Sequence, residues 1–233
     1  MRKLKEFIKN CKYTKKTAYF FLKVYQYFRS KYYLLKKKRN IQREGIKIIE
    51  KVQKVLKDNN VFFFFDMGTL LGIVREGRII KHDLDIDVGV RVSSETEKEH
   101  IKEIFSSIGA KEHYRFIVEE LGVVEQSFVY DEVKFDINYY YQKDEKDYCY
   151  LMYRNPDKTY MIDEMSVVEL SCEHIEKLQI KEFCGIKVNV PENAEKYLSC
   201  RYGENWKIPD KNYIYWKGPS TRPTDYIGKG FKA

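Results

Sequence analysis

The chain is poor in the features that mark secreted, disulfide-bonded or zinc-ribbon proteins. It has five cysteines among 233 residues, an odd number, and no two of them form a Cys-x-x-Cys pair. Cys172 and His174 could supply half of a metal site, but no second pair has suitable spacing. We therefore expect reduced thiols in a cytosolic compartment rather than a disulfide scaffold.

Long hydrophobic runs, internal repeats and low-complexity linkers are also missing from the sequence. The most apolar N-terminal stretch, residues 18–28, is too short to span a bilayer and contains Lys23. It also lacks the small-residue cleavage site of a signal peptide. Because 233 residues can bury a substantial core, we expect one main domain, residues 41–233, preceded by an appendage of residues 1–40.

Positive charge is concentrated near the N-terminus. Residues 1–60 contain 19 Lys or Arg and 4 Asp or Glu, whereas the rest of the chain contains 24 and 31. In residues 1–40 the basic residues are interspersed with aromatic ones. Three interpretations stay open: a helix on the anionic inner face of a membrane, a segment that binds nucleic acid or another polyanion, and a solvated helix packed loosely on the body. Nucleic acid is the partner that we disfavour.

The most informative stretch runs from Val61 to Val90. Residues 61–65 are apolar and aromatic, and this run is short and rich in strand-favouring residues. Asp66, Gly68 and Thr69 then break the run and can open a helix over residues 70–74. The pattern predicts a strand, a tight turn and a helix, followed by a basic loop.

Three aspartates alternate with apolar residues at the end of this stretch. Because side chains alternate along a strand, Asp83, Asp85 and Asp87 are expected on one face and their apolar neighbours on the other. Carboxylates crowded on one strand face repel one another, and a bound divalent cation removes that repulsion. The stretch therefore predicts a site for a metal ion and phosphate.

A third carboxylate can join this site from a later strand. Asp136 lies opposite the apolar residues of the predicted strand 133–139, and it would reach Asp85 and Asp87 if the two strands pair. An acid on an edge strand remains the alternative for Asp136. Further expected elements are a helix over 41–58, a helix capped at Ser93 or Ser94, strands over 114–118 and 123–130, a hairpin over 178–190, and a helix over 194–202. The tail, residues 206–233, has no periodicity and is expected to be a lid or partly disordered.

The motifs together resemble the LicD/fukutin family of the nucleotidyltransferase-fold superfamily. The first motif is Gly68-Thr-Leu-Leu-Gly-Ile-Val-Arg75, followed after seven residues by Asp83-Leu-Asp-Ile-Asp87. A second, C-terminal element combines Pro191, Tyr197-Leu198, Tyr202-Gly203, Trp206 and Pro209. Many members carry Asp where this chain has Leu84, a position on the opposite strand face from the aspartate pair. Residues 1–40 have no counterpart in the resemblance.

The resemblance implies an α+β fold, a nucleotidyltransferase-like mixed β-sheet flanked by helices, here with a basic N-terminal helical appendage. It also implies transfer of a phospho-alcohol, such as phosphocholine or a polyol phosphate, from a CDP-linked donor to a hydroxyl of a glycan or glycolipid, releasing CMP. Mg²⁺ or Mn²⁺ is the expected cofactor. The expected location is the cytoplasm, with the inner face of the membrane as an extension of that expectation.

Site residues follow from the same motifs. Metal ligands and catalytic groups are expected to be Asp85, Asp87 and Asp136, the last as third ligand or general base. The expected contacts of the donor phosphates are Gly68, Thr69, Arg75 and His82. Arg75 could instead be only a cation at a helix end. Two rival functions stay open: transfer of a nucleotide from a nucleoside triphosphate with release of pyrophosphate, and non-catalytic polyanion binding through residues 1–40.

Overall fold

The computed structural model describes residues 15–154 and 164–233. The first element, α1, is one continuous helix of 44 residues, Lys15–Asp58. Its second half confirms the helix predicted over 41–58, because Ile49, Val52 and Leu56 recur at helical spacing and are buried. Residues 1–14 of the predicted appendage lie outside the described residues. So does Asn155-Pro156-Asp157, a sequence typical of a turn.

The other elements alternate strands with short helices. In chain order they are β1 Phe63–Phe65, α2 Met67–Leu71, a π-helical turn Gly72–Glu76, β2 Asp85–Arg91, α3 Glu95–Ser107, β3 Lys111–Val118, β4 Gly122–Tyr130, β5 Val133–Lys143, β6 Lys146–Tyr153, β7 Met165–Glu173, β8 Leu178–Phe183, β9 Ile186–Pro191, α4 Ala194–Tyr202, a 3₁₀ turn Tyr215–Lys217 and β10 Thr221–Lys232. The predicted cap of α3 is Ser94, whose hydroxyl accepts from the Glu97 N–H.

Eight strands form one mixed sheet in the order β1-β2-β5-β4-β3-β10-β7-β6. β2 and β5 run parallel, and the neighbouring pairs are antiparallel. A further pairing between β5 and β6 closes six strands into a ring, with β1 and β2 extending from it. β8 and β9 form the predicted hairpin as a separate two-stranded sheet. This architecture confirms the expected α+β fold with a mixed sheet and an N-terminal helix.

The C-terminal tail differs from its prediction. Residues 221–232 form β10, which pairs with β3 on one side and β7 on the other. The strand has a register shift between Pro223 and Ile227, and much of it is exposed. An interrupted strand with little buried surface leaves no alternating apolar pattern, so the sequence did not reveal it.

The first half of the described helix α1 projects large side chains into solvent. Exposed residues here include Phe20, Phe21, Phe28 and Tyr32, at 63%, 65%, 63% and 70% exposure. Within residues 15–154 and 164–233, no helix combines the length and the apolar character that crossing a bilayer requires.

Candidate active site

The turn between β1 and α2 is built around a buried carboxylate. Asp66 is fully buried and caps α2, with its Oδ1 accepting from the Met67 N–H at 2.7 Å. The hydroxyls of Tyr140 and Tyr197 also donate to this carboxylate. Met67 has a φ of 46°, a left-handed value that a residue with a side chain rarely adopts. Asp66 therefore fixes a strained turn that presents the start of α2 to the site.

The register of β2 and β5 brings three carboxylates together. Asp87 pairs directly with Asp136 across the parallel strands, and Asp85 pairs with Lys134. Ligand atoms of Asp85, Asp87 and Asp136 all lie within 4.8 Å of one another. The pairing that the sequence analysis left conditional is therefore present. Within the described residues, these acids are the one group of three or more metal-ligating side chains.

Burial and mutual repulsion make these acids hold protons more tightly. Burial, and then the neighbouring carboxylates, raise the pKa of Asp87 well above its usual value. Burial also raises the pKa of Asp136. Asp83, just before β2, has its pKa raised to about 7 by burial and by Asp85. Such a cluster disfavours its own ionisation until a cation neutralises it.

Two side chains that were not among the predicted site residues hold the triad in place. Lys134 Nζ lies 2.8 Å from Asp85 Oδ2 and 2.6 Å from Asp136 Oδ2. The Ser127 hydroxyl donates to Asp136 Oδ1 at 2.6 Å. Strand alternation from Asp136 would have placed Lys134 on the same face, but the position of Ser127 depends on how β4 pairs with β5.

Two further polar residues reach the same site. Glu125 lines the cavity described below, and burial followed by the charge of Asp136 raises its pKa to about 8. Asn138 is 2% exposed, and its Nδ2 has no hydrogen-bond partner among the described residues. A buried amide without a partner is costly. Asn138 could therefore donate to a bound molecule.

The predicted phosphate contacts occupy different positions around the site. Gly68, Arg75 and His82 line the cavity, His82 as an exposed residue at its edge. Arg75 also donates to the Trp206 carbonyl at 3.1 Å, which ties the helix end to the C-terminal segment. Thr69 is buried, and its Oγ1 accepts from the Asp87 N–H at 2.9 Å. Thr69 thus positions β2, while its contact with phosphate stays a prediction.

Gly68 is required by close approach rather than by its backbone angles. A Cβ added there would lie 3.2 Å from Asp83 Oδ2, which is tighter than ordinary van der Waals contact. The Asp83 carboxylate therefore packs over the backbone at the start of α2. This contact explains why the turn and the aspartate-rich strand form one unit.

A cavity of about 1350 Å³ opens above the triad. Its lining combines the acids with the basic residues Arg75, Arg78, Lys81 and Lys211. The apolar and aromatic part of the lining includes Phe116, Leu151, Met152, Met165 and Tyr215. Ligand sites commonly combine an apolar wall with a few convergent polar groups. The volume exceeds what a drug-sized ligand needs, about 300–1,000 Å³, so two substrates can fit side by side.

The donor set suits a hard divalent cation. Three carboxylates offer oxygen ligands of the kind that Mg²⁺ and Mn²⁺ take in proteins. The three carboxylates lie close together, and Asp87 has no salt-bridge partner among the described residues. A bound cation would relieve the repulsion between them. The triad could therefore hold a metal ion.

The possible half-site at Cys172 and His174 has a different role. His174 Nδ1 lies 3.2 Å from Asp147 Oδ1, and Asp147 Oδ2 accepts from Arg91 at 2.9 Å. Cys172 is buried and its thiol faces the Asp147 carbonyl. These residues form a hydrogen-bonded network around a buried acid, and the described residues contain no metal-ligand group there.

A metal ion at the triad would compete with protons for the carboxylates, so stabilisation of the folded protein by Mg²⁺ should depend on pH. The raised pKa values of Asp83 and Glu125 mean that the folded protein retains protons that the unfolded chain has lost above about pH 4. The contribution of these groups to metal-free stability therefore falls as pH rises from about 4 to about 7 for Asp83 and to about 8 for Glu125, and levels off above. We expect saturating Mg²⁺ to raise the melting temperature by about 5–10 °C at pH 8, and by much less at pH 5. Equal shifts at both values, measured by differential scanning fluorimetry, would contradict this linkage.

Comparison with known proteins places the chain in a family. Residues 60–193 match the family model described as LicD/FKTN/FKRP, nucleotidyltransferase domain. Among curated proteins, "Ribitol-5-phosphate transferase FKTN" of Mus musculus is 29% identical over 187 residues, which cover 76% of this chain and 36% of that protein. The protein of the same name from Homo sapiens is 26% identical over 179 residues, covering 74% of this chain and 35% of the relative. The chain thus spans about a third of the length of these relatives.

Two solved structures align with part of this chain at a low level of structural similarity. They are a crystal structure of ANT(2'')-Ia in complex with adenylyl-2''-tobramycin and a solution structure of ANT(2'')-Ia, with TM-scores of 0.38 and identities of 12% and 15%. Each covers 64% of this chain, and the matched parts are 69% and 66% of those proteins.

The matched segment contains the first motif, which forms the turn and the aspartate-rich strand (residues 68–87), as well as Asp136. It also makes up more than half of the chain. The chain belongs to the LicD/FKTN/FKRP family and contains its nucleotidyltransferase domain.

Proposed function

We propose that this chain is a metal-dependent phosphotransferase that moves a phospho-alcohol from a CDP-linked donor to a hydroxyl of a glycan or glycolipid, releasing CMP. The observation that carries the proposal is the triad of Asp85, Asp87 and Asp136 on adjacent strands at the floor of a large cavity. Family membership supports the reaction class, and the activity for which the FKTN relatives are named, ribitol-5-phosphate transfer, supports a phosphorylated polyol as the group transferred.

The chemistry consists mainly of positioning and charge neutralisation. Mg²⁺ or Mn²⁺ bound at the triad would neutralise phosphate oxygens and the attacking oxygen. Asp87, which has no salt-bridge partner among the described residues, and Asp85 are the proposed main ligands. Both oxygens of Asp136 already accept hydrogen bonds, from Ser127 and Lys134. A proton taken up by Asp136 would weaken these contacts, so we propose that Asp136 is a third ligand, through an oxygen lone pair that they leave free, rather than a general base.

The donor diphosphate would lie along the basic residues of the cavity lining. Gly68 lines the cavity through its backbone, beside the Asp83 carboxylate, and Arg75 provides a positive charge held in place by the Trp206 carbonyl. His82 would contact the phosphate or the departing CMP from the edge.

The acceptor would lie against the apolar part of the cavity lining. Phe116, Met152 and Tyr215 offer apolar surface to one face of a sugar ring, while its hydroxyls need polar partners. Glu125 and the unpartnered amide of Asn138, which pair across β4 and β5, belong to the same lining and would be those partners. A sugar hydroxyl bound to these two groups would be placed next to the donor phosphate.

The reaction can be tested by CMP release. The purified chain is incubated with a panel of CDP-linked alcohols, mixed cell-surface glycans and Mg²⁺ or Mn²⁺, and CMP is measured by chromatography. The proposal predicts release from one donor, dependent on both metal and glycan. Silence with every CDP donor, together with pyrophosphate release from a nucleoside triphosphate, would contradict it and support nucleotide transfer.

We also propose that the N-terminal appendage, residues 1–40, binds the anionic inner face of a membrane and brings domain 41–233 to a lipid-linked acceptor. Its described part is helical, with exposed aromatic residues and lysines that lie over them, as Lys23 does over Tyr19 and Lys31 over Tyr27. Aromatic and basic residues together suit the interface of an anionic bilayer. This proposal places the protein in the cytoplasm, at the membrane surface.

Sedimentation with liposomes tests the membrane contact. We expect most of the protein to sediment with vesicles containing 30% phosphatidylserine and to remain in solution with phosphatidylcholine alone, since each nearby Lys or Arg contributes about 1 kcal/mol. Replacing Phe20, Phe21 and Phe28 by serine should weaken sedimentation at least tenfold. Undiminished binding by the triple variant, or binding to oligonucleotides but not to vesicles, would contradict the proposal.

A further inference from the structure

The triad has a resident positive charge. Lys134 Nζ bridges Asp85 Oδ2 and Asp136 Oδ2 at 2.8 and 2.6 Å, and the side chain is 19% exposed. The parallel register places Lys134 beside Asp85, and strand alternation places it on the same face as Asp136. The contact is therefore built into the backbone pairing and does not depend on a mobile loop.

The surroundings favour the charged form of this lysine, because one carboxylate oxygen of Asp85 and one of Asp136 lie within 2.8 Å of its ammonium nitrogen. Ser127 occupies the remaining oxygen of Asp136. The side of the site between Asp85 and Asp136 is thus occupied by an ammonium group and a hydroxyl.

Asp87 has a different environment. Its carboxylate has no salt-bridge partner among residues 15–154 and 164–233, whereas Asp85 and Asp136 share Lys134. The metal ion is therefore expected beside Asp87 and Asp85, with Asp136 completing the ligand set from the side that Lys134 and Ser127 hold.

We infer that Lys134 is the second cation of this active site, so that the site binds one divalent ion where phosphoryl-transfer sites with two metals bind a pair. In two-metal sites the ions lie about 3.5–4 Å apart and share a carboxylate. Here Lys134 occupies the position from which a second ion would bridge Asp85 and Asp136. Three carboxylates, one ammonium and one divalent ion also cancel in charge. This inference rests on the proposed function, because it assumes that the triad is a metal centre.

Lys134 also positions the ligands. By holding Asp85 and Asp136 together it prepares the triad before the ion arrives, so less rearrangement accompanies binding. The N–H of its ammonium group that contacts neither acid can then donate to a phosphate oxygen of the substrate. A lysine that only formed a structural ion pair would have no effect on how many ions the site accepts.

Counting bound Mn²⁺ tests the inference. The full chain, freed of metal by a chelator, is titrated with Mn²⁺, and free and bound ions are measured by electron paramagnetic resonance. We expect one tightly bound ion per wild-type chain without a signal from coupled ions. Lys134→Met should accept two, with the coupled signal of a close pair, and Lys134→Arg should accept one. Lys143→Met, an exposed lysine of the same strand, is the matched control and should accept one.

The number of Mn²⁺ ions bound by the wild-type chain tests the inference even if Lys134→Met does not fold. Two coupled ions in the wild type would show that Lys134 moves aside, which overturns this inference and leaves the proposed function intact. A single ion in folded Lys134→Met would also overturn it. No bound ion in the wild type would overturn both this inference and the metal centre of the proposed function.

Discussion

Asp87→Asn should abolish turnover while leaving the protein folded. The change removes one charged oxygen ligand from the triad, so we expect the rate of CMP release to fall at least about 10³-fold, or about 4 kcal/mol of transition-state stabilisation. Metal-free stability should stay equal or rise, because the buried carboxyl whose pKa is raised well above normal is replaced by a neutral amide. Steady-state kinetics and chemical denaturation measure the two effects on the same preparation.

The matched control is Asp225→Asn, the same chemical change at an exposed position of β10. It should leave both the rate and the free energy of unfolding within error of the wild type. A folded Asp87→Asn protein that keeps a tenth or more of wild-type activity would show that Asp87 is not a metal ligand in the reaction.

Asp66→Ala should be the most destabilising single change near the site. The carboxylate is fully buried and accepts from the Met67 N–H and from the Tyr140 and Tyr197 hydroxyls. The negative charge of Asp66 raises the pKa of the buried Arg201 guanidinium, against the opposing effect of burial. Losing Asp66 leaves two buried hydroxyls without their acceptor and Arg201 without this favourable charge, so we expect a loss of about 3–5 kcal/mol and a fall in melting temperature of about 10 °C.

Tyr197→Phe is the graded control for this network. It removes one donor and keeps the carboxylate, the helix cap and the Tyr140 contact, so the expected loss is about 1–2 kcal/mol. Urea denaturation of the two variants should show this order. If Asp66→Ala unfolded within 0.5 kcal/mol of the wild type, the buried network would not be what fixes the turn before Gly68.

Local patterns predicted those parts of the molecule whose cause is local. The apolar spacing in residues 41–58, the serine before α3 and the alternating aspartates of β2 each depend on a few neighbouring residues. The resemblance added the expectation that Asp136 joins Asp85 and Asp87, and the parallel pairing of β2 with β5 brings the three together.

The parts that were missed depend on contacts between distant segments. β10 forms only because β3 and β7 offer it a place in the ring, and its own sequence carries no alternating pattern. Glu125 reaches the site through the register of β4 against β5. The sequence predicted that Asp66 ends a strand and helps to open a helix, but not its buried network, since its partners Tyr140 and Tyr197 lie 74 and 131 residues away.

The most direct test of the proposed phosphotransfer is a ³¹P NMR spectrum of the complete reaction, with the CDP-linked donor, the glycan acceptor, Mg²⁺ and the wild-type chain. We expect a new phosphodiester on the glycan and CMP to appear in equal amounts, and neither to form with Asp87→Asn. Formation of pyrophosphate from a nucleoside triphosphate, with a nucleotide attached to the acceptor and no CMP from any CDP donor, would contradict it.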